Sequence, residues 1–460
     1  METTRKPFYG RDRVIYEIVQ GVLAPQPQSF SVVGPKFIGK THLLQHLAAE
    51  DGPLLDEDYA DLRPPMHRDG SRVLVTWIDC DWRNAQEDLI GWLYTSVQQH
   101  VRERAKIPVN WARIEANPSP SYRLWQLAQD LNGRDLRLVL LLDNFDRVFE
   151  NQLVHPETVD ELRPLTLEMA LLVATEQPLH DLDRDLAASP LFNVMTQLFL
   201  GLLDTEATQA WLATYAAGAP VVSALEDDLV ELTGMHPFLL RKLGDILSEV
   251  RQLFPAGDAM PPAAQLPLLR LRLAEHGRLL FETTWKRVQR LSTRLRPESV
   301  DYLLRRLLVG TVPLTDIPLE HAAALNWLIN QAIVVCCVQP KQNGYQFFTP
   351  LFGEFMARRM QPATETKPVA PPPADNGLAA ADLDQFTKTE AALLRYFQAH
   401  QGETVSVDQL LADVWRRPDA TNRRVQEAIR RLRLQLEESD PPMGAIENDR
   451  GRGYRYIPAE

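Results

Sequence analysis

Ser29-Phe-Ser-Val-Val-Gly34-Pro-Lys-Phe-Ile-Gly39-Lys40-Thr41 runs from an apolar, strand-like segment through a glycine-bounded loop into an amphipathic helical pattern. A loop in that position turns its backbone N–H groups inward, and the helix N-terminus adds partial positive charge where phosphates would sit. Lys40 is spaced to reach the β- and γ-phosphates of a nucleotide, and Thr41 to offer its hydroxyl to Mg²⁺. Gly34, Pro35, Lys36, Phe37, Ile38 and Gly39 form the cradle, and His42 follows on the helix. A chance match is the alternative, and the strand–loop–helix setting favours nucleotide binding over it.

Working outward, Ser29–Val33 and residues 72–78, 136–142 and 170–174 are short Val/Leu/Ile-rich runs separated by longer amphipathic patterns. That alternation predicts an α/β domain with a mainly parallel sheet. Leu138-Val-Leu-Leu-Leu-Asp143-Asn144-Phe-Asp146 places a carboxylate at the end of a buried strand, where ligands sit in open α/β sheets. Asp143 is the expected metal-holding residue with Thr41, although a strand-terminal Asp can also simply cap the next helix. From about residue 204 the pattern becomes helical, with a Pro-rich interruption over 255–267. Residues 297–360 read as helix, helix, two strands turning at Asn343-Gly344, and an apolar helix, the order of a winged helix. In it Leu319, Ala323, Trp327 and Asn330 read as packing, and Cys336 and Cys337 as buried thiols. Residues 361–381 are rich in Pro and small polar residues and read as a tether. The expected organisation is multidomain α/β plus α: 1–203 nucleotide-binding, 204–296 helical lid, 297–360 winged-helix-like, 361–381 linker, and 382–460 a second winged helix.

Lys+Arg 49 against Asp+Glu 61 gives a net charge of −12, which excludes a uniformly basic nucleic-acid coat but not a basic patch within one domain. Three cysteines cannot build a disulfide framework, and no apolar run approaches the ~20 residues of a membrane helix. A cytoplasmic protein with no membrane partner is expected.

Residues 1–360 resemble the STAND branch of P-loop ATPases, relatives of the AAA+ proteins that act as nucleotide switches. Besides the loop and Asp143, the resemblance rests on Phe8-Tyr-Gly10-Arg11-Asp12 and Ala170-Leu-Leu-Val-Ala-Thr175-Glu-Gln-Pro178. It also rests on Ser189-Pro-Leu-Phe-Asn193 with a helix after it, and on Thr233-Gly234-Met-His236-Pro237-Phe238. It implies ATP or ADP with Mg²⁺, and nucleotide-side roles for Gly10, Arg11, Thr175, His236 and Pro237. Two departures matter. The residue after the metal-binding Asp is usually Glu in active relatives, and here it is Asn144, which cannot accept a proton. Loss of a positioned base removes ~10²–10⁴-fold of rate. Glu176 and Gln177 stand where relatives often carry Arg, and an anion there does not stabilise charge developing on a γ-phosphate. Binding with slow or absent hydrolysis is expected, with Asp146 the remaining carboxylate able to replace the base.

In the last 80 residues Val425, Ile429, Leu432 and Leu436 recur at helical spacing as a core stripe. The opposite face presents Arg423, Glu427, Arg430 and Arg431, with Arg424 and Arg433 flanking it. Alone, such a face is more often simply solvated. With Phe386-Thr-Lys-Thr-Glu390, Val405-Ser-Val-Asp-Gln-Leu410 and Asn448-Asp-Arg450-Gly451-Arg452-Gly453-Tyr454 around it, residues 383–458 resemble the winged-helix DNA-binding domain of OmpR/PhoB-type response regulators. The resemblance implies that Arg423, Arg424, Arg430, Arg431 and Arg433 contact bases or phosphates, and that Arg450 and Arg452 belong to the wing. Glu427 departs from the usual recognition helix, so no target sequence carries over. The chain is therefore expected to be a nucleotide-controlled DNA-binding transcription regulator that self-associates, with RNA polymerase or another protein as a further partner. The alternative is a DNA-associated STAND/AAA+ ATPase of a mobile-element or antiviral defence system that oligomerises on DNA.

Overall fold

The computed structural model describes residues 8–81, 88–104, 108–150, 156–182, 189–216, 219–253, 261–291, 295–339, 342–360, 388–414, 425, 428–433, 436, 444–449 and 453–458. The chain divides into two compact units, Met1–Pro362 and Ala363–Glu460.

The first unit opens with helix α1 (Asp12–Val22), strand β1 (Ser29–Val33) and helix α2 (Lys40–Ala48). Strands β2 (Val73–Asp79), β3 (Arg137–Asp143), β4 (Ala170–Thr175) and β5 (Met195–Phe199) complete a parallel sheet in the order β2-β3-β4-β1-β5. Alternate residues of a strand face opposite sides, and β3 shows why a continuous apolar run is needed at the sheet centre. Leu138, Leu140 and Leu142 enter one core with the helices Leu89–Arg104 and Pro120–Asn132, while Val139 and Leu141 enter another with α1 and α2. Each fully buried Leu contributes about 1.5–3 kcal/mol relative to exposure.

The sheet also corrects one expectation. Residues 195–199 form β5, where the sequence resemblance placed a helix after Asn193; the helix there is only Pro190–Val194. β5 is an edge strand with Thr196 and Gln197 exposed, so it lacks the all-apolar signature of its neighbours.

Helices Thr205–Ala216, Glu226–Thr233, α3 (Pro237–Leu253), Pro262–His276 and α4 (Arg278–Leu291) follow. Pro262 sits in the first turn, where a missing N–H costs nothing, and Pro267 lies inside that helix, so the helical pattern resumes earlier than the expected end of the interruption at 267.

Residues 297–360 contain α5 (Pro297–Val309), β6 (Val312–Pro313), α6 (Ala322–Asn330), β7 (Val334–Gln339), β8 (Gln342–Phe347) and α7 (Pro350–Met360). Their three-stranded antiparallel sheet has the order β6-β8-β7. The hairpin pairs Gln339 with Gln342, so its connection falls at residues 340–341, outside the described residues. Asn343-Gly344 lies within β8 instead, and a Cβ on Gly344 would come within 2.5 Å of the Val312 carbonyl oxygen. The buried face of α6 is Ala324, Leu325 and Leu328; Leu319, Ala323 and Asn330 are exposed and Trp327 is half-buried. Cys336 is exposed and Cys337 half-buried, contrary to the buried-thiol expectation, because β7 is an edge strand.

This segment packs on the helix Glu226–Thr233. Gly234 ends Glu226–Thr233 with φ 56°, and a Cβ there would meet the Phe348 carbonyl oxygen at 1.9 Å. Thr349 donates its hydroxyl to the Leu232 carbonyl at 2.6 Å.

In the second unit, α8 (Lys388–Ala399), β9 (Thr404–Val405), α9 (Val407–Asp413), β10 (Ala445–Asp449) and β11 (Gly453–Ile457) surround a core that includes Val425, Ile429, Leu432 and Leu436. Ser406 and Gln409 close a capping box at the start of α9. The strand order is β10-β11-β9. The tether expected over 361–381 lies outside the described residues. Among the described residues no helix is long and apolar enough to cross a membrane.

Candidate functional site

The loop after β1 is shaped by two backbone positions. Gly39 caps α2 at φ 101°, and Phe37 also adopts a positive φ of 67°. A Cβ on Gly34 would come within 2.8 Å of the Leu200 carbonyl oxygen, so the start of the loop admits only glycine without a shift. The Gly34 N–H donates to Thr175 at the end of β4 (3.1 Å), and Leu200, after β5, donates to Val33 (2.7 Å). The ends of β4, β1 and the edge strand β5 are thus tied together beneath the loop.

Lys40 is buried, and its ammonium donates to the carbonyls of Gly34 (2.7 Å) and Pro35 (3.1 Å). Burial pulls its pKa down to about 8, opposed by Glu176, Asp146 and Asp143. A cation so poorly hydrated gains strongly from a phosphate partner. Asp143 is fully buried at the end of β3; its Oδ1 accepts from the Asn144 N–H (3.0 Å), and its Oδ2 has no hydrogen-bond partner. Burial raises its pKa, with the Thr41 hydroxyl and the Asn144 N–H pulling the other way. The Thr175 hydroxyl is likewise buried without a partner. Buried polar atoms of this kind are rare unless a ligand or water completes them.

These residues fit a nucleotide with magnesium. Lys40 and the loop N–H groups would hold the phosphates, while Thr41 and Asp143 would hold the metal, which supplies charge neutralisation on phosphate oxygens. Among the described residues no group of three or more His, Cys, Asp or Glu is placed to hold a metal unaided, so this donor pair depends on phosphate oxygens to complete it.

A cavity of about 550 Å³ opens here. It brings together the expected residues Arg11, Lys36, Phe37, Ile38, Gly39, Lys40, Thr41, His42, Asn144 and Pro237, with Asp146 also on its wall. Gly10, Gly34, Pro35, Asp143, Thr175 and His236 lie outside the lining. Arg11 works through the backbone: its guanidinium donates to the carbonyls of Leu202 (2.9 Å), Gly201 (2.5 Å) and Ile38 (3.3 Å), clamping the segment after β5 to the loop. Burial lowers its pKa to about 10. His236 is buried; its Nδ1 accepts from the Phe238 N–H (3.2 Å), and burial depresses its pKa to about 3, so the ring is neutral and fixes the start of α3.

Asn144 adopts φ 52° and donates its carboxamide to Asp79 Oδ1 at 2.9 Å. Asp79 and Asp143 are register partners at the ends of β2 and β3. Asp146 receives the Glu176 N–H on both oxygens (3.0 and 2.9 Å), and burial raises its pKa to about 6.

Sequence reasoning did not single out Tyr9, Trp211 and Arg241, which also line the cavity. Nor did it find Arg287 of α4, buried and donating to Gln331 (2.9 Å), whose charge reaches both Lys40 and His236. No local motif marks Trp211, Arg241 and Arg287, because long-range packing brings them in, while Tyr9 stands within the Phe8–Asp12 motif without a role assigned to it.

In the second unit Arg430 and Arg431 are exposed, as a DNA-facing role requires. Arg433 is half-buried, with its guanidinium 5.6 Å from the centre of the Tyr454 ring and Nε and Nη2 lacking hydrogen-bond partners. Arg423, Arg424, Glu427, Arg450 and Arg452 lie outside the described residues.

Residues 384–456 match the family model described as "Transcriptional regulatory protein, C terminal", so the C-terminal resemblance is borne out over that span. No curated protein matches the chain. Among solved structures, the chain is similar to the Walker-type ATPase of Pyrococcus abyssi at 16% identity, over 77% of this chain and 97% of that one, with a TM-score of 0.45. It is similar to the Aeropyrum pernix ORC2 protein, solved in ADPNP–ADP complexes, at 14% identity over 78% and 97%, with a TM-score of 0.41. Domain III of the Thermotoga maritima replication initiation protein DnaA is similar at 13% identity over 56% and 90%, with a TM-score of 0.35.

Proposed function

We propose that this chain is a nucleotide-controlled, DNA-binding transcription regulator, in which a STAND-type module binds ADP or ATP with Mg²⁺ and residues 384–456 read duplex DNA. The observation that supports the reading is that one chain carries a buried Lys40 at the start of α2 and a buried Asp143 at the end of β3, together with a segment matching a transcriptional regulatory family. Nucleotide exchange would act on self-association, and two or more readers brought together would gain avidity on repeated half-sites. Such control requires that the two conformations differ in nucleotide affinity.

Slow hydrolysis follows from the same residues. The Asn144 carboxamide cannot accept a proton and is engaged by Asp79. Asp146 is the carboxylate on the cavity wall whose pKa suits proton transfer near neutrality. The exposed Arg430 and Arg431 offer planar guanidinium groups to guanine edges or phosphates.

Selecting duplexes from a random pool with the full chain, once in ADP and once in ATP, tests the proposal. One nucleotide state should enrich repeated half-sites more strongly than the other. Recovery of no sequence at all, or identical enrichment in both states, refutes it.

A further inference from the structure

The cavity wall beside Lys40 carries an ion pair. Lys36, within the loop between Gly34 and Gly39, places Nζ 3.3 Å from Oε1 of Glu176. Both residues line the cavity together with Lys40 and Asp146. Glu176 directly follows β4, and its backbone N–H is anchored on the two oxygens of Asp146. Its carboxylate lines the same wall as Lys40, and its charge reaches that ammonium. Two buried atoms without hydrogen-bond partners, Asp143 Oδ2 and Thr175 Oγ1, lie behind the lining at the ends of β3 and β4.

We propose that Glu176 makes this a diphosphate-preferring site, because it engages the second lysine of the loop and sets a fixed negative charge against the γ-phosphate of a nucleoside triphosphate. The proposal rests on the nucleotide reading of the cavity and adds which nucleotide it favours and why. A nucleoside diphosphate can satisfy the loop N–H groups and Lys40 without meeting Glu176. A triphosphate must extend further charge towards Asp143, Asp146 and Glu176, the three carboxylates whose charges reach Lys40. Lys36 is the second lysine of the loop that could help Lys40 offset that charge, and Glu176 already holds it. The side chains of Lys36 and Glu176 are 41% and 31% exposed, so water screens the pair and the outcome is a graded preference, not a block.

A double-mutant cycle read by calorimetry on the full chain, with Mg²⁺ present, tests this; thermal melting confirms that each variant is folded. The wild-type chain should bind ADP more tightly than ATP. Glu176→Gln should tighten ATP binding by roughly tenfold, the order expected for removing one half-screened charge contact, and should leave ADP nearly unchanged. Lys36→Ala should cost ATP binding in both backgrounds, by different amounts, and should remove most of the ATP gain in the Glu176→Gln background. A wild-type preference for ATP, an equal effect of Glu176→Gln on both nucleotides, or a Lys36→Ala effect that is the same in both backgrounds overturns the proposal. Failure of the folded wild-type chain to bind either nucleotide would instead sink the nucleotide reading beneath it.

Discussion

Exchanging the side chains of Asp79 and Asn144 should restore hydrolysis more fully than any single change at Asn144. The carboxamide of Asn144 lies 2.9 Å from Asp79 Oδ1. In Asn144→Asp two carboxylates would meet at that distance, a repulsion of ~1.4 kcal/mol at the dielectric of water and ~6 kcal/mol at an effective value of 20. At about 1.4 kcal/mol per pKa unit, one carboxylate would shift upward by roughly one to four units, so the single variant should be less stable and partly protonated. Asn144→Glu meets the same charge, and its longer side chain must also take a left-handed backbone at φ 52°, which costs a further ~1–2 kcal/mol. The double variant Asp79→Asn/Asn144→Asp keeps the hydrogen bond with donor and acceptor reversed and puts a carboxylate after Asp143. A positioned base is worth ~10²–10⁴-fold, so phosphate release under excess ATP should rise by at least ~10² in the double variant. Melting should place its stability near wild type and that of Asn144→Asp below it. A double variant that binds nucleotide normally yet turns over no faster refutes the reasoning, as does an Asn144→Asp variant as stable as wild type.

Three further outcomes follow from the same structure. Lys40→Ala should abolish nucleotide binding measured by calorimetry, because the buried ammonium is the cation at the centre of the cradle; retained affinity would misplace the site. Residual ATP turnover should rise as pH passes upward through about 6, since Asp146 accepts a proton only when ionised; a flat profile, or no loss in Asp146→Asn, removes it as the base. Arg430→Ala and Arg431→Ala should each weaken DNA binding and flatten its salt dependence by about one counterion if they contact phosphates; unchanged affinity in both would take this face off the duplex.

The strand–loop–helix unit around Lys40 was legible in sequence because it depends on neighbours in the chain: Gly34, Gly39, Lys40 and Thr41 belong to one loop and one helix start. Asp143 was legible for a related reason, as β3 is buried on both faces and its run of apolar residues shows where the strand ends. The core stripe Val425, Ile429, Leu432 and Leu436 followed from helical period alone. What remained hidden depends on contacts between distant segments. Nothing local to Arg11 says that its guanidinium spans the carbonyls of Gly201, Leu202 and Ile38, and nothing local to Asn144 names Asp79. β5 escaped because an edge strand needs only one apolar side, and Asn343-Gly344 misled because the register of β7 and β8 places glycine where β6 approaches most closely.

The most direct test of nucleotide control is the affinity of the full chain for its selected duplex at one fixed salt concentration, measured with ADP, with ATP and with neither, for wild type and Lys40→Ala. The wild-type chain should show affinities that differ between nucleotide states, and Lys40→Ala should show one affinity throughout. Equal wild-type affinities in all three states, from a protein shown to bind both nucleotides, would contradict the account.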